Sequence, residues 1–254
     1  MSMVPNSRRM RLTRELVDTV TRVEGAQPLP FAAPTDADYE EAVRTLVAGA
    51  PSPDEIWLFA YGSLIWKPAC DVVERRIGVA RGWHRAFCLG WDRWFRGCDA
   101  RPGLMLSLDR GGQCKGVAYR LPPDAVEANL HKLLRREMRA KTAAHVPRWL
   151  TVRTDEGPRR AIAFVINRKG GRYVRGLSLE EIADALAVAA GPVGSMAEYL
   201  HSTVHHLEEL GIHDSHLWRL QELVGQRIEA AAAAVDPLAR ATIVSQAQPS
   251  DLDP

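Results

Sequence analysis

The chain has only four cysteines, Cys70, Cys88, Cys98 and Cys114, and no C-x-x-C pair. This excludes a disulfide scaffold and fits a reducing cytoplasm. No stretch is apolar for long enough to cross a bilayer. Arg8, Arg9, Arg11 and Arg14 crowd the start without the apolar run of a secretory leader, so no membrane partner is expected. Charge of one sign is missing too: 33 Lys plus Arg against 31 Asp plus Glu leave +2, too little for the field of a nucleic-acid binder. Neither G-x-x-x-x-G-K-S/T nor G-x-G-x-x-G occurs, so there is no nucleotide cradle and no cofactor is implied. Without H-E-x-x-H or a cysteine at ligand spacing, His205, His206, His213 and His216 read as solvated helix histidines rather than a metal site.

What is present is the composition of an ordinary folded domain, 46% hydrophobic and 25% charged over 254 residues. Residues 1–50 read as an N-terminal arm, rich in Arg and Pro, followed by a short helix from Asp36. The main domain occupies 51–235, and an Ala-rich stretch gives way to a flexible tail over 236–254. The run Ile56 to Tyr61 predicts a strand buried on both faces and stopped by Gly62-Ser63. Further strands are expected near 72–81, 83–91, 103–109, 113–121, 146–153 and 160–167, broken by Gly82 and by Gly111-Gly112. Together they describe a compact, largely antiparallel sheet or barrel. Asp124 with Glu127, and Ser178 with Glu181, mark helix starts. The first helix should reach about Arg139; helices near 178–190, 195–210 and 214–233 make the C-terminal third helical.

Within the helix from Asp124, Val126, Leu130, Leu133 and Leu134 form an apolar stripe whose next position is Glu137. A carboxylate there faces inward, where desolvation suits a general acid or base; equally, Arg135, Arg136 or Arg139 would neutralise it. The Tyr61-Gly62-Ser63-Leu64 turn at a strand end is either a structural Gly-Ser turn or a set of backbone amides aimed into a pocket. Arg75, Arg76, Arg81, Arg85, Arg93, Arg96 and Arg101 form either a solvated face or a site for an anionic small substrate. Cys88 and Cys98 lie near His84 without a visible activating context for a thiol nucleophile. Trp57, Trp66, Trp83, Trp91 and Trp94 suit a core or pocket wall better than a base-stacking platform, with the Trp91 to Cys98 segment at the pocket mouth.

Five blocks, in order, resemble the ChaC-like γ-glutamylcyclotransferases. They are Phe59 to Pro68 (FAYGSLIWKP), Gly82 to Cys88 (GWHRAFC), Gly116 to Leu121 (GVAYRL), Leu134 to Met138 (LRREM), and Gly191-Pro192 with Glu198-Tyr199-Leu200. The resemblance covers about residues 55–225 and implies an α+β fold, a small mixed or antiparallel β-barrel flanked by helices. It implies a lyase that cyclises the γ-glutamyl group of glutathione to 5-oxoproline and releases Cys-Gly. It also implies Glu137 as the catalytic acid/base, with Tyr61, Gly62, Ser63, Leu64, Ile65 and Trp66 binding substrate; Tyr199 reads either as a further hydrogen-bonding residue for the substrate or as a core tyrosine. The partner is then a small molecule. Two other readings stay open: a cyclotransferase for other γ-glutamyl peptides or amines, and a non-catalytic regulator linked to cation transport.

Overall fold

The computed structural model describes residues 9–20, 28–52, 54–141 and 144–246, with side chains up to Ala234. Thr13 caps a short helix, α1 (Arg14–Asp18), and α2 (Asp36–Ala48) follows behind a Thr35/Asp38 capping box. The strands are β1 (Trp57–Ala60), β2 (Glu74–Asp92) and β3 (Gly103–Arg120), then α3 (Val126–Glu137), β4 (His145–Thr154) and β5 (Gly157–Ile166). After α4 (Leu179–Val188), a two-residue hairpin of β6 (Ala190–Gly191) and β7 (Gly194–Ser195) leads into α5 (Met196–Glu209) and α6 (Ser215–Gln246).

The five long strands close into a barrel in the order β1-β3-β2-β4-β5, sealed by parallel pairing of β5 with β1 and β3. Four expected strands are in fact two. Gly82, at φ 79°, lies where the β2–β3 register slips between Arg81 and Trp83, and Gly111 and Gly112 stand opposite with φ 110° and 62°. The extra residue makes a bulge in β3, and both strands continue through it because glycine tolerates left-handed backbone there.

The two largest bodies of buried side chains lie one on each face of β1, and Cys88, Leu89 and Ile166 form a small third cluster. Trp57, Phe59 and Tyr61 join the barrel lining to α1, α4, α5 and α6, while Ile56, Leu58, Ala60 and Leu64 pack with α2 and α3. The expectation of a doubly buried strand therefore holds. It also fixes the location of the site: the segment leaving β1 at Tyr61 emerges between the end of α3 and the side of α5.

Some boundaries differ. Asp124 does not cap α3: Pro123–Ala125 form a 3-10 turn, and α3 begins behind Ala125 with no side-chain cap. Pro123 favours an earlier, tighter start, which takes Asp124 into the turn itself. Ser178 and Glu181 do form the expected capping box. The described part of the arm packs on the domain: Leu12 is fully buried, and its amide donates to Gln221 Oε1 at 2.9 Å. α6 runs to Gln246, into the stretch read as tail; residues 247–254 lie outside the described residues.

Candidate active site

The apolar stripe of α3 is buried as its spacing requires, with Leu130, Leu133 and Leu134 no more than 1% exposed. Glu137, the last residue of α3, is carried by that stripe to the wall of a cavity of about 660 Å³. That size lies within the range of small-ligand sites. Its carboxylate is mostly enclosed, with Arg136 Nε 3.3 Å from Oε1 and His145 Nδ1 3.5 Å from Oε2. The alternative of a neutralising arginine is thus half realised. Arg135 pairs instead with Asp36, and Arg136 touches Glu137 but also holds the turn beyond β1.

That turn is wound tightly: the amide of Ile65 donates to the carbonyl of Gly62 at 2.9 Å, and that of Lys67 to Ser63 at 3.0 Å. Arg136 clamps it from α3 by donating to Ser63 Oγ at 3.0 Å and to the carbonyl of Lys67. From the other side, the buried Arg85 donates to the carbonyl of Tyr61 at 2.6 Å and pairs with Asp214 at 3.0 Å. Tyr61 spends its hydroxyl on the carbonyl of Phe164 at 2.7 Å.

Tyr199, from α5, completes the wall. Its phenol meets the hydroxyl and amide of Ser63, and a Cβ placed on Gly62 would lie 3.2 Å from its oxygen. Burial first, and then the Glu137 carboxylate, push this phenol up to about 12, so it keeps its proton near neutrality. Trp66 meets the Tyr199 ring edge-on at 5.6 Å and stacks on His206.

Of the residues proposed from the sequence, Ser63, Trp66, Glu137 and Tyr199 line this one cavity. Gly62 lies beneath Tyr199, whereas Tyr61, Leu64 and Ile65 send their side chains into the packed bodies that anchor the turn. The Trp91 to Cys98 segment supplies Asp92, Trp94, Phe95 and Arg96 to the lining. Buried Asp92 organises it by accepting from the amides of Trp94, Phe95 and Arg96. Arg96 then reaches Glu198 at 3.1 Å and covers the Tyr199 ring.

Sequence reasoning missed His145, Phe31, Asn167, Gly170, Gly171 and Arg172. These come from separate elements, and no local pattern marks them. Of the arginine cluster weighed as an anion site, only Arg96 lines the cavity: Arg85 braces the turn, Arg76 pairs with Glu74 and Glu156, and Arg93 pairs with Asp99. The thiol alternative loses ground, since burial pushes Cys88 up to about 12. Among the described residues no group of three or more metal-ligating side chains is gathered, and no helix is long and apolar enough to cross a membrane.

The ChaC-like protein family matches residues 56–227, which include every residue of the turn, Glu137 and Tyr199. The chain belongs to the ChaC-like family. It is 41% identical over 182 residues to the glutathione-specific γ-glutamylcyclotransferase of Escherichia coli, covering 70% of this chain and 78% of that one. It is 31% identical over 198 residues to glutathione-specific γ-glutamylcyclotransferase 1 of mouse, covering 75% and 87%. The barrel is similar to the crystal structure of a yeast γ-glutamylcyclotransferase specific to glutathione, with a TM-score of 0.60 at 20% identity over 68% of this chain and 96% of that one. As a ChaC-like protein, it has the fold expected from the five sequence blocks.

Proposed function

We propose that this protein is a glutathione-specific γ-glutamylcyclotransferase, with Glu137 as its acid/base and the Tyr61 to Trp66 turn, with Tyr199, as its γ-glutamyl site. The observation that carries the reading is the meeting of Glu137 and the Gly62-Ser63 turn in one cavity, bridged by Arg136. The curated relatives above support the substrate.

The reaction follows from these parts. Glu137 takes a proton from the α-ammonium of the γ-glutamyl group, and the freed amine attacks its own γ-carbonyl. A C–N bond forms within the five-membered ring and the amide bond to cysteine breaks; Glu137 returns the first proton to the departing nitrogen, and the second proton shed by the ring nitrogen completes the Cys-Gly ammonium. No group is transferred to another molecule, so the acceleration comes largely from holding the folded-back conformer. Ser63 and Tyr199 supply donors for the charge that develops on the carbonyl oxygen. Tyr61, Leu64 and Ile65 contribute by anchoring the turn, and Trp66 by walling the cavity and packing on Tyr199.

The test is 5-oxoproline release by the purified protein from glutathione and from a panel of γ-glutamyl peptides and amines, without added metal or nucleotide. Glutathione is expected to be the preferred substrate, yielding equal amounts of 5-oxoproline and Cys-Gly. Preference for another member would move the substrate assignment; release from none would return the protein to the binding-regulator reading.

A further inference from the structure

Besides the turn and Glu137, the cavity lining includes a group of different chemistry. Here Arg139 and Arg172 stand against the aromatic segment, with the Arg139 guanidinium 4.7 Å from the ring centre of Phe95 and that of Arg172 5.4 Å from Trp94. Phe31, from the N-terminal arm, packs edge-on against Trp94 at 5.5 Å and lines the same wall.

Their charge commitments set these two arginines apart. Arg136 is held by Glu137, Ser63 and Lys67, and Arg96 by Glu198 and the carbonyl of Ser195. Among the described residues, Arg139 and Arg172 donate only through Nε, to the carbonyls of Arg136 and Gly90, and neither has an ion-pair partner. Burial also works against the charge on Arg172, which the nearby Asp92 only partly offsets. Two guanidinium groups with uncommitted terminal nitrogens, backed by the adjacent rings of Phe95 and Trp94 and lining one cavity, offer donors for a carboxylate.

We propose that Arg139 and Arg172 form the subsite for the carboxylate of the leaving peptide, making the cavity selective for γ-glutamyl peptides over γ-glutamyl amines. This rests on the reading of Glu137 and the turn as the γ-glutamyl end. A glutathione bound there points its glycyl carboxylate away from the turn, toward the wall built by Phe31, Trp94 and Phe95. The rings cover one face of each guanidinium and leave the terminal nitrogens to make charge-assisted hydrogen bonds.

The experiment compares glutathione, its glycyl amide and a simple γ-glutamyl alkylamine in the wild type, Arg139→Met, Arg172→Met and the double variant. Initial rates of 5-oxoproline release are measured, and binding to Glu137→Gln is followed by calorimetry. For the wild type, the glycyl amide is expected to show KM and Kd about 10- to 100-fold above glutathione, at similar kcat, the range for loss of a charged hydrogen-bond partner. The variants should erase that preference while leaving the alkylamine unchanged. Equal handling of acid and amide by the wild type overturns the proposal without needing any variant to fold. So does a variant that weakens the alkylamine as much as glutathione, since the arginines would then be serving the γ-glutamyl end. If no substrate turns over, the γ-glutamyl reading fails separately, and Kd values that do not distinguish acid from amide overturn this proposal as well.

Discussion

Replacing Arg136 with methionine tests whether the cavity works through a mechanical link between its two halves. The guanidinium lies 3.3 Å from Glu137 Oε1, donates to Ser63 Oγ at 3.0 Å and caps the carbonyl of Lys67, so one side chain ties the end of α3 to the turn after β1. Hydrogen bonds to a charged group contribute about 1.5–3 kcal/mol each, but three that share one group do not add. The arginine is partly exposed, with 22% of its side chain open, and screening reduces its contribution to folding. Folding stability should therefore fall by only about 1–2 kcal/mol in urea unfolding. Alignment of the reacting amine against the γ-carbonyl should suffer more: about 3 kcal/mol of lost positioning is roughly a 100-fold drop in kcat. Arg136→Lys keeps the charge without the fork and should recover only part of it. The assay is 5-oxoproline release under saturating and limiting glutathione. A folded Arg136→Met enzyme with kcat within about threefold of wild type would refute the clamp.

Gly62→Ala places a methyl group 3.2 Å from the Tyr199 oxygen, so the phenol must shift from Ser63; we expect a KM for glutathione about 10-fold higher, with stability within about 1 kcal/mol. His145→Asn keeps a donor where Nδ1 faces Glu137 and should stay within about threefold of wild-type kcat, whereas His145→Leu should lose about 10-fold or more; equal rates would show that the 3.5 Å approach positions nothing. The Tyr199 phenol, raised to about 12 by burial, binds its proton more tightly in the folded than in the unfolded chain. Its contribution is therefore complete below the unfolded value of about 10 and is lost as pH rises from there toward 12. Urea unfolding between pH 9 and 11.5 should give a shallower alkaline loss in Tyr199→Phe, and an unchanged slope would contradict the assigned environment.

Much of the site was legible because local periodicity controls it. The α3 stripe places Glu137 at the cavity wall through nothing more than helical spacing over Leu130, Leu133 and Leu134. The continuous apolar run of β1 announced a strand buried on both faces, and burial of those faces against different helices brings α3 and α5 to either side of the turn. Local pattern failed where a bulge preserves pairing: Gly82 and Gly111-Gly112 looked like strand ends and are irregularities inside two long strands. It failed again where closure of the barrel decides who meets whom. Arg172, His145 and Phe31 come from segments without shared periodicity, and they line one cavity only once β4 and β5 have sealed the sheet and Phe31 has packed on Trp94. Arg85 shows the converse. In the sequence it is one arginine of a cluster, but in the fold it is buried and braces the carbonyl of Tyr61.

The most direct test of the central claim is the rate of 5-oxoproline release from glutathione by Glu137→Gln, with glutathione binding to the same variant measured in parallel. The amide fills the space of the carboxylate but cannot accept the ammonium proton, so turnover should fall by about 10²-fold or more while Kd changes by less than about tenfold. A Glu137→Gln protein that releases 5-oxoproline at the wild-type rate would contradict the account, whatever its affinity for glutathione.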